Sequence, residues 1–548
     1  MVSVARYNFG ATFPASGSPV TTTTTTYNIP SGGVYPCGTL SNPYIFDRPC
    51  SVTTTGSNGR MISQTKYTYN GTGHVLTTSQ WVSGTGASAK YVATSTSYNS
   101  NGTVNVATNS TGATFTYSYD GSCNSLMPTG VTTSANNVTL SRTMSWDCNG
   151  AVQTGLTDEN GSVTHTNFFN GSTADPFYRP MSDVDAITPP NTTNYSYSAT
   201  TFEGAMNFNG TTSTTDNLAV ADGLGRPIFA QTRQAQGSST FDTTQTNYGW
   251  TTTTSTIAGG PFTTKSLTYS GTVGQQAPSG TPVTTTQYDA LNRPISVTDA
   301  GGGITTHTYV NNDDLIAIGP KPNNENLKQR QLEYDGLGRL TSVCEVTSSA
   351  NGGAPCVQNA PATGYKTSYA YSTPAAGGSQ MVVTQGAQTR TYVYDGLGRL
   401  TSETNPESGT KNYIYDTATS TCGSGVALGS PVETIDNAGV HTCFGIDALG
   451  RVFMQFAKTS GGPTGTCRYY IFGDQSYTPP SGVTITNGKA RVVEAYTTAP
   501  SGSNACNSVG PTTDEWFSYD ANGQMTDMWE YTPLTGVTCS PISEQVRV

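Results

Sequence analysis

The side chains able to do acid–base or nucleophilic chemistry are few and scattered through this 548-residue chain. Its four histidines are His74, His165, His307 and His441, and two of them, His165 and His307, follow Gly161 and Gly303 by four residues in the similar stretches GSVTH and GITTH. A catalytic triad needs one histidine in a unique setting beside a nucleophile and an acid. Two histidines at one phase of a repeated segment read as strand constituents instead. The paired acids Asp313 and Asp314, and Asp183 with Asp185, could bind a cation or serve glycoside hydrolysis, which uses two carboxyls. Adjacent carboxylates in loops are usually solvated, and Asp158 and Glu159 read the same way, as turn residues. The sequence has no nucleophile elbow, zinc-protease or phosphate-loop signature. GSGVALG, from Gly423, has one residue too many for a phosphate loop and no helical pattern after it. No catalytic residue, cofactor or metal is expected, and the chain reads as a non-enzyme.

Eleven cysteines carry different chemistry. None forms a C-x-x-C pair, and the closest two are twelve residues apart, which argues against a zinc ribbon or a thioredoxin motif. Taken in order they pair as Cys37 with Cys50, Cys123 with Cys148, Cys344 with Cys356, Cys422 with Cys443 and Cys467 with Cys506, leaving Cys539 over. Neighbours on a hairpin can reach the Cα separation of about 5.5 to 6 Å that a disulfide needs. With so little aliphatic core, disulfides are expected, and with them an oxidising compartment.

The third chemical pattern is a row of Asp and Arg four residues apart: Asp222/Arg226, Asp289/Arg293, Asp335/Arg339, Asp395/Arg399 and Asp447/Arg451. A row of free arginines would bind sugar or phosphate. The alternative, which we favour, is that each Arg lies over a neighbouring Tyr or reaches the Asp of its own or the next turn.

These residues sit in a repeated unit. YDGLGRL occupies 334–340 and again 394–400; YDALNRP begins at Tyr288, ADGLGRP at Ala221 and IDALGRV at Ile446, with looser copies at Tyr69, Tyr98, Trp146 and Tyr519. Asp at the first turn position bonds backbone N–H groups two residues on, and Gly or Asn at the fourth accepts positive φ, as at Gly338, Gly398, Gly450 and Asn292. Tight turns of this kind join antiparallel strands. After the turn the pattern has period two, Leu340, Ser342, Cys344 and Val346 on one face; before it, Leu332 and Tyr334 share a face, as do Tyr392 and Tyr394. A second turn type alternates with the first, in TDENGSVTHTNF from Thr157, TDAGGGITTHTY from Thr298 and IDNAGVHTCFGID from Ile435. The steps Asp147 to Asp158, Asp289 to Asp299 and Asp436 to Asp447 are 11, 10 and 11 residues, room for one strand of about six residues and its turn. The row Tyr288, Tyr334, Tyr394 and Tyr519 then supplies cross-strand aromatic contacts.

This alternation of YDxxGRL turns with TDxxGxxTxYxYD segments resembles the RHS, or YD-repeat, proteins of bacterial surfaces and toxins, over roughly residues 60 to 530. The resemblance implies a strip of β-hairpins that spirals into a hollow shell, often around a C-terminal toxin. Many copies here lack the Arg, Gly/Ser/Thr-rich insertions stretch several intervals, and no DPxGLxG-like segment of the sort that closes the family's core is found.

Composition fits an extracellular version of such an array. Charged residues make up 11% of the chain, against about 25% in ordinary soluble proteins. A net charge of only -10 with 10% aromatic residues argues against disorder. Lys plus Arg total 25 against 35 Asp plus Glu, with no basic run to neutralise phosphates, so nucleic acid is not an expected partner. No apolar run approaches the eighteen residues of a membrane helix. The Thr runs at 21–26 and 251–254 read as ordered strand or loop. MVSVARYNFG lacks the regions of a secretory signal, and with repeats continuing nearly to Val548 the chain is expected to be a piece of a longer polypeptide.

The resulting expectation is an all-β fold, a continuous array of antiparallel β-hairpin repeats forming a spiralling strip, shell or fibre. Residues 1–60 form a Thr/Gly-rich β segment, 61–530 the array, and 531–548 an end that continues into or pairs with another segment. The expected function is a non-enzymatic structural scaffold, extracellular or on a bacterial surface. The alternatives are an encapsulating segment of a larger toxin and a surface adhesin binding glycans. Expected partners are the chain's own flanking polypeptide or identical subunits through edge strands, an encapsulated toxin, or glycans.

Overall fold

The computed structural model describes residues 1–8, 17–29, 37, 45–135, 138–171, 173–208, 210, 214–251, 260–347, 354–355, 363–423, 425–459, 462–463, 465–499, 506 and 511–531. Strands dominate them; the described helical pieces are single 3-10 turns such as Gly86–Ser88 and Ser420–Cys422. Among the described residues, forty strands hydrogen-bond into one sheet. The pairing is antiparallel and largely a meander, most strands pairing with the next in sequence.

The chain divides into two compact units. The first combines residues 1–163, 370–383 and 388–548. Its opening strands include Thr21–Tyr27, Pro49–Gly56, Met61–Tyr69 and Val75–Ser83, each paired with its successor. Thr21–Tyr27 is the poly-Thr run, and cross-strand hydroxyls such as Thr23 and Thr54, 3.0 Å apart, bond to each other. Later strands, from Gln388–Tyr394 and Leu400–Asn405 to Thr513–Tyr519 and Met525–Tyr531, repeat the meander.

Within this unit turns and strand ends of the later stretch meet turns and strand ends of the earlier one. Asn58 Nδ2 donates to Thr373 O (3.0 Å), Gly396 N to Val82 O (2.9 Å), Ser110 Oγ to Leu428 O (3.0 Å), Thr111 Oγ1 to Ala448 O (2.6 Å) and Lys489 N to Asn160 Oδ1 (2.8 Å). The side-chain contacts span 315 to 337 residues of sequence, increasing little as the chain advances. A near-constant offset means that two stretches of strip run side by side in register. Trp81, 1% exposed, is wedged into this seam. A Cβ on Gly377 would stand 2.3 Å from Trp81 Cη2, and one on Gly396 2.1 Å from its Cε3, so only glycine fits at either place.

The second unit comprises 164–369 and 384–387. Its meander includes Thr192–Tyr197, Thr201–Asn207, Thr214–Ala221, Pro227–Arg233, Asp313–Gly319, Lys328–Tyr334 and Leu340–Thr347. The buried face here mixes apolar side chains such as Phe229 and Phe241 with many polar ones. Gln231 Nε2 bonds Thr243 Oγ1 (2.9 Å), Gln331 Nε2 bonds Asp313 Oδ2 (2.8 Å) and Ser342 Oγ bonds Glu333 Oε2 (2.8 Å), all among buried residues. On Lys328–Tyr334 it is Gln331 and Glu333 that are buried, while Leu332 and Tyr334 are half-buried. Buried polar groups are tolerated where each finds a partner. In the first unit small apolar clusters, such as Val483 with Trp516 and Trp529, take the place of a single thick core.

Candidate functional site

The repeated turns are the most elaborate polar structures of the chain. At Asp335, Oδ1 accepts the N–H groups of Leu337 and Arg339 (2.9 Å each), and Oδ2 accepts Arg339 Nε (2.7 Å). The backbone closes the hairpin through Asp335 N to Arg339 O (2.8 Å) and Gly338 N to Asp335 O (2.9 Å). Gly338 stands at φ +75°, Gly398 at +77° and Gly450 at +83°, and Asn292 takes the same place at +62°. This is a type I turn closed by a left-handed residue, with the register slipping at Tyr334 as a bulge. Only Asp carries two oxygens at the right reach: one caps the turn, the other holds the arginine. Asp289, Asp395, Asp447 and Asp222 repeat the arrangement with Arg293, Arg399, Arg451 and Arg226. The alternate turns at Asp158, Asp299 and Asp436 close with the same backbone bonds, so the two sequence types form one geometry.

Arg226, Arg293, Arg399 and Arg451 also reach the strand after next, whose far end returns to the same edge of the sheet. Arg399 lies 4.3 Å over the Tyr415 ring and bonds both oxygens of Asp416 (3.0 and 2.9 Å). Arg451 lies 3.9 Å over Phe472 and bonds both oxygens of Asp474 (2.7 and 2.8 Å). Arg293 covers Tyr309 at 4.0 Å, and Arg226 covers Tyr248 at 4.2 Å. The tyrosine hydroxyl completes the lock by donating to the carbonyl just past the arginine: Tyr309 to Pro294 (2.9 Å), Tyr248 to Pro227 (3.1 Å). The same bond runs from Tyr69 to Pro49 (2.7 Å), just past Arg48, and recurs without Arg from Tyr98 to Val75 (2.9 Å), where His74 stacks on Tyr98 at 4.8 Å. Period-two patterning places these tyrosines on strands but carries no signal for where a hydroxyl ends up. Tyr288 points its hydroxyl at Thr263 Oγ1 (3.3 Å) instead, whereas Tyr519, under Arg491, donates to Val492 O just past that arginine and so makes the same bond.

Electrostatics follow from burial. The side chains of Arg399 and Arg451 are 15% and 16% exposed; those of Arg226 and Arg293 are 46% and 42% exposed. Burial pulls the Arg399 guanidinium down, but hydrogen bonds to Asp416 and Asp395 outweigh it and the net shift is upward; Arg451 behaves likewise with Asp474 and Asp447. Arg226 hydrogen bonding holds the Asp222 carboxyl below the usual range. Burial raises the Tyr309 and Tyr415 phenols. At Arg399 and Arg451 the guanidinium edges are bound to two carboxylates and one face is against a ring, which leaves little to offer a sugar or phosphate.

Other titratable residues sit singly. His165 is exposed on its strand, and His307 Nδ1 meets Asp314 Oδ2 at 3.0 Å. Asp183 accepts from Thr166 and Tyr195, Asp185 caps Asn191, and Glu159 pairs with Arg142 at 2.6 Å, a partner across the hairpin. Two groupings fall outside the repeat. Glu494 is pushed up to about 7 by burial and by the charge of Asp514, itself raised by burial. Glu433, 0% exposed, accepts from Thr419 N (2.6 Å), Thr419 Oγ1 (2.8 Å) and His441 Nδ1. Disulfides join Cys37 to Cys50, Cys123 to Cys148, Cys422 to Cys443 and Cys467 to Cys506. Cys344 is disulfide-bonded, while Cys356, expected as its partner, and Cys539 lie outside the described residues.

No family model and no curated protein matches the chain. Solved structures do. "Crystal Structure of TcdB2-TccC3 without hypervariable C-terminal region" aligns with a TM-score of 0.60 at 11% identity, over 94% of this chain and 35% of the other. "Structure of Photorhabdus luminescens Tc holotoxin pore, Mutation TccC3-D651A" aligns with a TM-score of 0.57 at 11% identity, over 94% and 35%. "Crystal Structure of TcdB2-TccC3-Cdc42" gives 0.58 at 11% identity, over 96% and 36%. The chain thus spans about a third of the length of the chains it matches, and what it shares with them is the fold: a long strip of antiparallel strands.

Proposed function

We propose that this chain is a stretch of wall: a non-enzymatic, extracellular scaffold of the RHS type whose strip winds beside itself and separates an enclosed volume from its surroundings. The observation that carries the reading is the seam within the first unit, where turns and strand ends 314 to 337 residues apart are joined by backbone and side-chain bonds and sealed by Trp81 against Gly377 and Gly396. A catalytic protein concentrates its unusual polar groups in one cleft. Here the Asp–Arg constellations recur at turn after turn along the strip, at Asp222, Asp289, Asp335, Asp395 and Asp447, and are satisfied internally, which serves stiffness. Disulfides favour an oxidising location. Among the described residues strand Val2–Arg6 pairs on one side only, with Thr21–Tyr27, and all five of its residues are exposed. Its other edge suits a strand of flanking polypeptide or of another subunit.

The test is protection. The native polypeptide containing this chain, digested with a broad protease, retains any enclosed segment intact, and opening the seam with Trp81→Ala exposes that segment to cleavage. Equal digestion of all segments in the unmodified protein contradicts the wall. A glycan-binding surface has one observation in its favour, the 69% exposure of Trp250; a glycan array negative at high protein concentration removes it.

A further inference from the structure

We propose that the Cys422–Cys443 disulfide masks a metal site, and that reduction converts the cluster around Glu433 into a four-ligand zinc site. The ligand atoms of Cys422, Glu433 and His441 already lie within 4.8 Å of one another. Cys443 is bonded to Cys422, its Cα 5.4 Å away, and stands directly opposite Glu433 in the strand register. His441 precedes Cys443 by two residues on the same strand, His441–Ile446, so both project from one face. Two thiolates, one imidazole and one carboxylate are a donor set zinc accepts, and tetrahedral ligands about 2.0 to 2.3 Å from the ion stand about 3.3 to 3.8 Å apart. The group closes by roughly 1 Å to reach that geometry.

The second shell is in place. Thr419 donates both its N–H (2.6 Å) and its hydroxyl (2.8 Å) to Glu433, fixing a carboxylate that is otherwise sealed from water. Ligating carboxylates are ordinarily oriented in this way. His307 and Asp314 also pair an imidazole with a buried carboxylate, but the pair at His441 and Glu433 has cysteine sulfur beside it. Cys422 is half-buried and His441 has 18% of its side chain exposed, which gives reductant and ion a route to the buried Cys443.

The chemistry balances. A dithiol reductant delivers two electrons and two protons to the two sulfurs, breaking the S–S bond and leaving as its own disulfide. Zinc then displaces both thiol protons into solvent, while the imidazole proton shifts from Nδ1, where it faced Glu433, to Nε2 so that Nδ1 ligates. In the oxidised chain neither sulfur is a thiolate and the set falls to two ligands.

The experiment uses the full chain, reduced anaerobically with a phosphine that does not compete strongly for metal, and titrated with zinc and with cobalt(II). Reduced wild type is expected to bind one equivalent more zinc than the Cys422→Ser, Cys443→Ser double variant, in which every other reduced cysteine still contributes its background. Cobalt should show thiolate charge-transfer and tetrahedral ligand-field bands that are stronger in the reduced wild type than in the double variant by one equivalent. Oxidised wild type should lack this equivalent. His441→Ala keeps both thiols and should weaken binding by at least about tenfold. Equal zinc binding by reduced wild type and the double variant overturns the proposal, as does equal binding by oxidised and reduced wild type. If circular dichroism shows the double variant unfolded, His441→Ala decides, and unchanged affinity overturns it.

Discussion

Replacing Arg399 by Ala tests how much the repeated lock stabilises the sheet. In the folded chain Arg399 neutralises Asp395 and Asp416, whose side chains are 6% and 16% exposed, and covers Tyr415 at 4.3 Å. Its removal leaves two nearly buried carboxylates without a cation. Breaking a buried pair from one side costs about 3 to 5 kcal/mol. Asp395 keeps the N–H groups of Leu397 and residue 399, and Asp416 keeps the Gly429 N–H at 2.6 Å, which places the cost near the lower limit, about 3 kcal/mol. Repeat arrays open in parts, so a single global unfolding energy is a poor reporter. Native-state hydrogen exchange on strands Leu400–Asn405 and Gly409–Thr417 reads the local opening instead, and 3 kcal/mol corresponds to roughly a hundredfold faster exchange of their protected amides. Arg226→Ala is the control: that pair is 46% and 21% exposed, and water replaces much of its interaction. If the two variants lose protection equally, burial of the lock is not what makes it strong and the reasoning fails.

Three further outcomes follow from the same structure. Gly396→Ala puts a methyl 2.1 Å from Trp81 Cε3 and should cost about 1 to 3 kcal/mol, read as a red-shifted, more quenchable Trp81 emission once the other four tryptophans are replaced by Phe; unchanged emission would mean the seam does not exist in solution. Tyr309→Phe deletes only the hydroxyl bond to Pro294 and should cost about 1 kcal/mol, measured by exchange on Ile304–Val310, with no change expected if the bond is idle. Glu494, shifted from 4.5 to about 7 by burial and the charge of Asp514, binds its proton more tightly folded than unfolded. Its contribution is therefore fully present below about pH 4.5 and lost as pH rises to about 7, so strands Val492–Thr498 and Thr513–Tyr519 should lose exchange protection over that window once intrinsic exchange is corrected for; Glu494→Gln should flatten the profile, and a wild-type profile already flat contradicts the shift.

What could be read from the sequence was what is local. Asp, Gly and Arg at fixed offsets specify the turn because every bond in it closes within five residues, and the alternation of Thr, Val and Tyr specifies the strands. The buried face was harder to read: Gln331 and Glu333 are inside while Leu332 and Tyr334 are only half-buried, because Asp313 and Ser342 on the flanking strands satisfy the polar pair. Hydropathy cannot register a partner on another strand. The identical heptapeptides at 334–340 and 394–400 hide the same difficulty, since Gly396 meets Trp81 more than three hundred residues away and nothing near it announces the contact. His441 reads as an isolated histidine until the hairpin brings it to Glu433.

The central claim is that this strip is a wall, and single-particle electron microscopy of the native polypeptide that contains it tests this most directly. A wall predicts a continuous ladder of antiparallel strands in which Val82 and Gly396 lie on adjacent passes around an enclosed volume. A filled β-structure with no enclosed volume, or passes that never meet at Val82 and Gly396, contradicts it.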